Sequence, residues 1–230
     1  MITLQEITDD VRAIASSGSN ADNFKIPDEQ IFYWITQARA SLIGQSLAKR
    51  DDLNDTWMQQ INCMALELAD ESECCLAPSG CYVLKTVKQL PATIDTWRAN
   101  WIVGVTTALG DQVPKSNQFA NRYQKYNKYT GNKRWFYLKN NYIYIINDVM
   151  LDYINVQALF EDPLELAGFT SCDGAACFDP SSAYPISANM SAQIVDIIIK
   201  TRVTPFLSFP EDRQNDGNNS DSSLPKRSGQ

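Results

Sequence analysis

Arg134-Trp135-Phe136-Tyr137-Leu138-Lys139, then Asn140-Asn141, then Tyr142-Ile143-Tyr144-Ile145-Ile146 is the stretch of this 230-residue chain whose reading decides the fold. Aromatic and β-branched residues favour extended backbone, and asparagine tolerates positive φ better than other side chains. Two such runs joined by Asn-Asn predict an antiparallel hairpin closed by a two-residue turn. Outward from it, the pattern stays β-rich for some distance. Tyr82-Val83-Leu84-Lys85-Thr86-Val87 ends at Leu90-Pro91, Trp101 to Thr106 is a second strand candidate, and residues 152–160 are a third. Phe119, Tyr123 and Tyr126 keep helical spacing and predict a short helix inserted among the strands.

Further out, helical signals take over. Thr3 followed three residues later by Glu6 is a capping box, with Ile7, Val11 and Ile14 on one face of the helix it opens. Ser16-Ser17-Gly18-Ser19-Asn20 reads as a joint. Pro27 with Asp28 and Glu29 marks a second start, because proline fits a first turn and acids suit the positive end of the helix dipole. Ile31, Trp34, Ile35, Ala38, Leu42 and Ile43 carry that helix to about Lys49-Arg50. Trp57, Ile61, Met64, Ala65 and Leu68 read as the face of a third helix, forming an antiparallel hairpin with the second. A fourth is expected over residues 187–202, with Met190, Ile194, Ile197 and Ile198 inward. From Pro210 the chain is polar and poor in apolar residues, and reads as a loose arm. The expected fold is α+β: a helical bundle of about four main helices with an inserted small antiparallel β-domain and an extended C-terminal arm. The segments are 1–76 (helical), 77–186 (β), 187–206 (returning helix) and 207–230 (arm).

Several function classes lose support at once. The chain has no histidine, which removes the commonest general base, nucleophile partner and metal ligand. No Gly-rich phosphate loop, GxSxG or HExxH occurs. Glu71/Glu73 and Glu161/Asp162 are carboxylate pairs in polar surroundings and read as solvated charges, so no catalytic residue, cofactor or metal site is expected. The N-terminus lacks a basic region and a following apolar run, and no apolar stretch approaches the roughly 20 residues that cross a bilayer. The expectation is a soluble protein made in a cytoplasm, with no membrane partner.

Six cysteines occur: Cys63, Cys74, Cys75, Cys81, Cys172 and Cys177. A zinc site from Cys172 and Cys177 plus Cys74, Cys75 or Cys81 is one reading, but the spacing is loose and no CxxC is present. A disulfide framework needs an oxidising compartment, which no signal peptide supports, so reduced thiols, with Cys63 on the buried face of its helix and the rest in loops, are preferred.

Charge is unevenly distributed. The chain has 20 Lys and Arg against 27 Asp and Glu, net -7. Yet residues 112–147 contain no acid and seven bases: Lys115, Arg122, Lys125, Lys128, Lys133, Arg134 and Lys139. Aromatics interleave with them (Phe119, Tyr123, Tyr126, Tyr129, Trp135, Phe136, Tyr137), as on single-stranded nucleic-acid platforms. A contact with an acidic neighbouring subunit ranks first for this segment, a solvated face second and nucleic acid third.

The pieces Tyr129 to Tyr137, Asn140 to Ile145, Leu159-Phe160-Glu161-Asp162-Pro163, the Cys172/Cys177 loop, Ala183-Tyr184-Pro185-Ile186 and Pro210 to Asp216 resemble, in that order, structural proteins of crAss-like phages. The N-terminal helices are similar in layout to head-to-tail adaptors of short-tailed phages. The resemblance implies a virion protein that forms a ring, commonly of twelve copies. Such a ring docks under the portal, adjoins the next tail ring or tail-barrel proteins, and extends the channel through which genomic DNA passes. It implies a terminal arm reaching the portal or an adjacent subunit, and no active site. Partner-binding candidates are Lys115, Arg122, Lys125, Lys128, Lys133 and Arg134 on the basic segment, and Glu211, Asp212 and Arg213 on the arm. The acidic helices, rather than the basic segment, are expected to face the channel.

Overall fold

In the computed structural model, residues 2–16, 26–49, 53–70, 83–96, 99–116, 133–146, 148 and 150–207 are described. The predicted hairpin is present. β7 (Trp135–Lys139) and β8 (Tyr142–Ile146) pair antiparallel from Trp135↔Ile146 to Lys139↔Tyr142. Asn140 and Asn141 have φ of 52° and 60°, the left-handed conformation for which the turn selects asparagine. Cross-strand partners Tyr137 and Tyr144 stack with ring centroids 4.9 Å apart.

The hairpin is one edge of a larger sheet, and here the expected architecture is corrected. Strands dominate, and there is no helical bundle carrying a small β insertion. With β1 (Gln59–Leu68), β2 (Val83–Thr86), β5 (Ile102–Thr107), β6 (Gln112–Val113) and β9 (Tyr153–Ala158), the hairpin forms a seven-stranded antiparallel sheet of order β6-β5-β9-β1-β2-β8-β7. A two-stranded ribbon, β3 (Asp95–Thr96) and β4 (Ala99–Asn100), lies outside it. The edges approach each other. Ser116 N–H donates to Phe136 O at 2.6 Å and Phe136 N–H to Pro114 O at 3.0 Å, so the sheet curls into a nearly closed barrel. Closure gives edge backbone groups internal partners.

The predicted third helix is the main error. Residues 59–68 form β1, a central strand preceded by a short 3-10 turn, Asp55–Trp57. Along β1 the buried residues are Gln59, Ile61 and then Met64. A β-bulge between Ile61 and Met64, with Cys63 at φ 55°, shifts the register on β9. An extra residue moves the inward phase by one. Turn, strand and bulge together reproduce the spacing of a helix face at 57, 61, 64, 65 and 68.

The other helices fall near their expected places. α1 (Leu4–Ala15) carries the full Thr3/Glu6 capping box, and α2 (Asp28–Ala48) starts after Pro27. α3 (Met190–Ile198) widens into a π-turn, Ile199–Val203, before α4 (Thr204–Leu207). Pro205 has no N–H to donate, and the widened turn precedes it. One hydrophobic core runs from the barrel (Ile61, Val105, Ile143, Ile145, Ile154, Val156) through Leu159 and Phe160 to the helices (Ile7, Ile31, Ile35, Ile194). The expected helix at Phe119, Tyr123 and Tyr126 and the C-terminal arm lie outside the described residues.

Candidate assembly interface

The registers place the strand ends at two poles. At one pole, the rim, lie the end of β1, the start of β2, the β5–β6 turn, the start of β7, the end of β8 and the start of β9. At the other lie the Asn140-Asn141 turn, the start of β1, the end of β9 and the helices that follow from it.

The rim displays large apolar side chains: Leu109 is 91% exposed, Met150 86% and Leu68 62%. It also gathers Lys115, Lys133 and Arg134, because Lys115 bridges to Phe136, two residues after Arg134. Lys139 sits at the far end of β7, away from this group. The rim's positive charge is partly offset internally. Arg134 Nε donates to Asp148 Oδ2 at 2.6 Å, and its Nη1 lies 3.6 Å from Asp111 Oδ2. Those acids stand one residue beyond either end of the acid-free window, so the window count passed over them. Arg122, Lys125, Lys128, Glu211, Asp212 and Arg213 lie outside the described residues. Of the interleaved aromatics, Phe136 is buried and Tyr137 stacks on Tyr144.

The opposite pole carries a groove between α2 and α3, of about 640 Å³, which the sequence reading did not anticipate. Tyr33, Trp34 and Gln37 of α2 form one wall, Arg202 lies near the second, and Glu161, Asp162 and Glu165 complete it. Partial burial, then the charges of Asp162 and Glu161, raise the Glu165 pKa above the ordinary carboxylate value, against a lowering hydrogen bond from the Ala92 backbone. Among the described residues none of the three carboxylates has a salt-bridge partner, and Arg202 turns to Gln37 Oε1 at 3.1 Å.

Arg39, fully buried, holds the groove's shape. Its Nη1 donates to Phe160 O (2.7 Å), Nη2 to Trp57 O (3.1 Å) and Nε to Pro185 O (2.9 Å). The guanidinium thus ties α2 to the entry of β1, the exit of β9 and the segment leading to α3. Burial lowers its pKa to about 10, opposed by Tyr184 and Asp162, so it stays charged at neutral pH.

The cysteines do not behave as expected. Cys63, on the β1 bulge, is joined to Cys172 by a disulfide with Cα atoms 5.1 Å apart, while Cys177 is free. This corrects the reduced-thiol reading for that pair and takes Cys172 out of the zinc alternative. Cys74, Cys75 and Cys81 lie outside the described residues. Among the described residues no group of three or more His, Cys, Asp or Glu is placed to hold a metal ion, and no helix is long and apolar enough to cross a membrane.

A two-ended barrel with unpaired apolar tips suits a subunit of a larger body, and the family comparison agrees. The chain matches the family model of phage tail ring protein 2 over residues 6–222. It belongs to that family. No curated protein matches it. As a crAss-like phage tail ring protein, the chain is a structural component of the tail that assembles as a ring, which places it in the virion. The match spans both poles, and it includes the basic segment and the beginning of the arm.

Proposed function

We propose that this tail ring protein closes into a cyclic ring at the head-to-tail junction, docked on the portal on one side and on the next tail ring or tail-barrel proteins on the other, and that it extends the DNA channel. The observation that carries the reading is the tail-ring family match over residues 6–222. The two-poled molecule supports it, because heterologous contacts between unlike patches close into rings when the rotation permits. Twelve copies is the number implied by the resemblance to head-to-tail adaptors, and synthesis in the host cytoplasm belongs to the same reading. Lys115, Arg122, Lys125, Lys128, Lys133 and Arg134 face a partner, and the arm with Glu211, Asp212 and Arg213 reaches the portal or an adjacent subunit. DNA is densely negative, so an acidic lumen lets it pass without adhering. The exposed outer face of α1, with Glu6, Asp9 and Asp10, suits that lining.

A reconstruction of the purified virion tests the reading. The chain is expected on the tail axis below the portal. A position off that axis overturns the connector role, and Lys125 and Lys128 pointing into the channel overturn the acidic lumen. Replacing Lys125, Lys128 and Lys133 with Glu should lower incorporation into particles while leaving the subunit's melting temperature nearly unchanged. Normal incorporation would return the segment to a solvated face.

A further inference from the structure

The groove between α2 and α3 is mostly apolar, walled by Tyr33 and Trp34, yet it carries Glu161, Asp162 and Glu165 on one side. A groove of this size falls in the range of sites that hold several side chains. Its carboxylates crowd each other and, among the described residues, meet no salt-bridge partner. Such a surface favours a cationic occupant with aromatic character. Residues 117–133 of this chain have that chemistry: Arg122, Lys125, Lys128 and Lys133, with Tyr123, Tyr126 and Tyr129 between them and no acid. The segment leaves the sheet at Ser116, whose N–H donates to Phe136 O partway along β7, and the chain rejoins the sheet at Trp135 on the rim. The groove lies at the other pole, about 20 Å away along a six-residue strand such as β9.

We infer that the α2–α3 groove seats the basic, tyrosine-rich segment 117–133 of a second copy of this chain. The inference rests on the ring reading above and names its subunit contact. Lysine and arginine heads meet Glu161, Asp162 and Glu165, and tyrosine rings lie against Tyr33 and Trp34. Long-range attraction between unlike poles steers the encounter and sets the register.

Zero-length carbodiimide coupling of purified virions, read by peptide mass spectrometry, tests this directly. The expected product is an amide between Lys125 or Lys128 and Glu161 or Glu165, in a species of twice the chain mass. The same link at single-chain mass overturns the inference, as does coupling of the groove carboxylates to lysines of another virion protein. Charge exchange supplies the second arm. Glu161→Lys with Glu165→Lys, or Lys125→Glu with Lys128→Glu, should each lower the copies per particle by about tenfold, a loss of roughly 1.4 kcal/mol in contact free energy. Combining the two sets should restore incorporation. Equal incorporation of all variants, or no rescue when both sets are combined, overturns the groove contact. If the chain then still lies in a ring on the tail axis, only this contact has failed. If it lies off the axis, the ring reading has failed with it.

Discussion

The guanidinium Nη1 of Arg39 donates to the carbonyl oxygen of Phe160 at 2.7 Å inside a core where both residues are fully buried. No carboxylate makes a salt bridge with Arg39 among the described residues; it is satisfied by backbone carbonyls and by the Tyr184 ring, 5.9 Å from its Cζ. A buried charge is tolerable only when its donors are used. Arg39→Met leaves the carbonyls of Trp57, Phe160 and Pro185 without that donor and should cost about 1–3 kcal/mol for each carbonyl left unsatisfied. Arg39→Lys should recover only part, because an ammonium cannot reproduce the guanidinium fork. Denaturant unfolding of the purified subunit checks both, and unchanged stability in Arg39→Met would show the clamp to be dispensable.

Glu165 gives a prediction in pH. Its folded-state pKa is raised, first by partial burial and then by Asp162 and Glu161. A raised folded pKa means the native state binds the proton better than the unfolded chain. The associated stability is therefore present below the unfolded carboxylate pKa and lost as pH rises through the folded value. Glu165→Gln should raise the melting temperature slightly at pH 7, with the difference disappearing in acid. A variant less stable at pH 7 would contradict the sign.

The Cys63–Cys172 disulfide closes a loop across 109 positions. A cross-link of that span restricts the unfolded chain, with typical stabilisation of about 2–4 kcal/mol. Cys172→Ser should melt lower than the oxidised protein and match wild type in reductant. Alkylation before and after reduction should show two thiols becoming accessible. If reductant leaves the melting temperature unchanged, the bond contributes nothing to stability.

At the β7–β8 turn, Asn140 and Asn141 both have positive φ. Asn141→Gly should be neutral or mildly stabilising, since glycine adopts that conformation without a Cβ penalty. Asn141→Val should cost about 1–2 kcal/mol, measured by thermal melting of the two variants side by side.

The hairpin, the Thr3 capping box and the helices after Pro27 and near Met190 were legible because each is decided within a few residues. Turn dihedrals, caps and short-range periodicity are local energies. Ile61 and Met64 were misread because their three-residue spacing is ambiguous. It suits one face of a helix, and it equally suits a strand interrupted by a bulge at Cys63. Asn155 Oδ1, which accepts the Cys63 N–H at 2.9 Å, lies 92 positions away, so nothing near Cys63 announces the bulge.

By itself the sequence determined the local elements and the uneven charge. It held seven bases and no acid between residues 112 and 147, and no histidine anywhere. Tertiary structure alone decided what those charges face. It brought Asp111 and Asp148 back onto Arg134, gathered Glu161, Asp162 and Glu165 beside Tyr33 and Trp34, and joined Cys63 to Cys172. Electrostatic and packing energies depend on distance in space, whereas propensities and caps act along the chain. A bundle could therefore be expected where the chain builds a barrel.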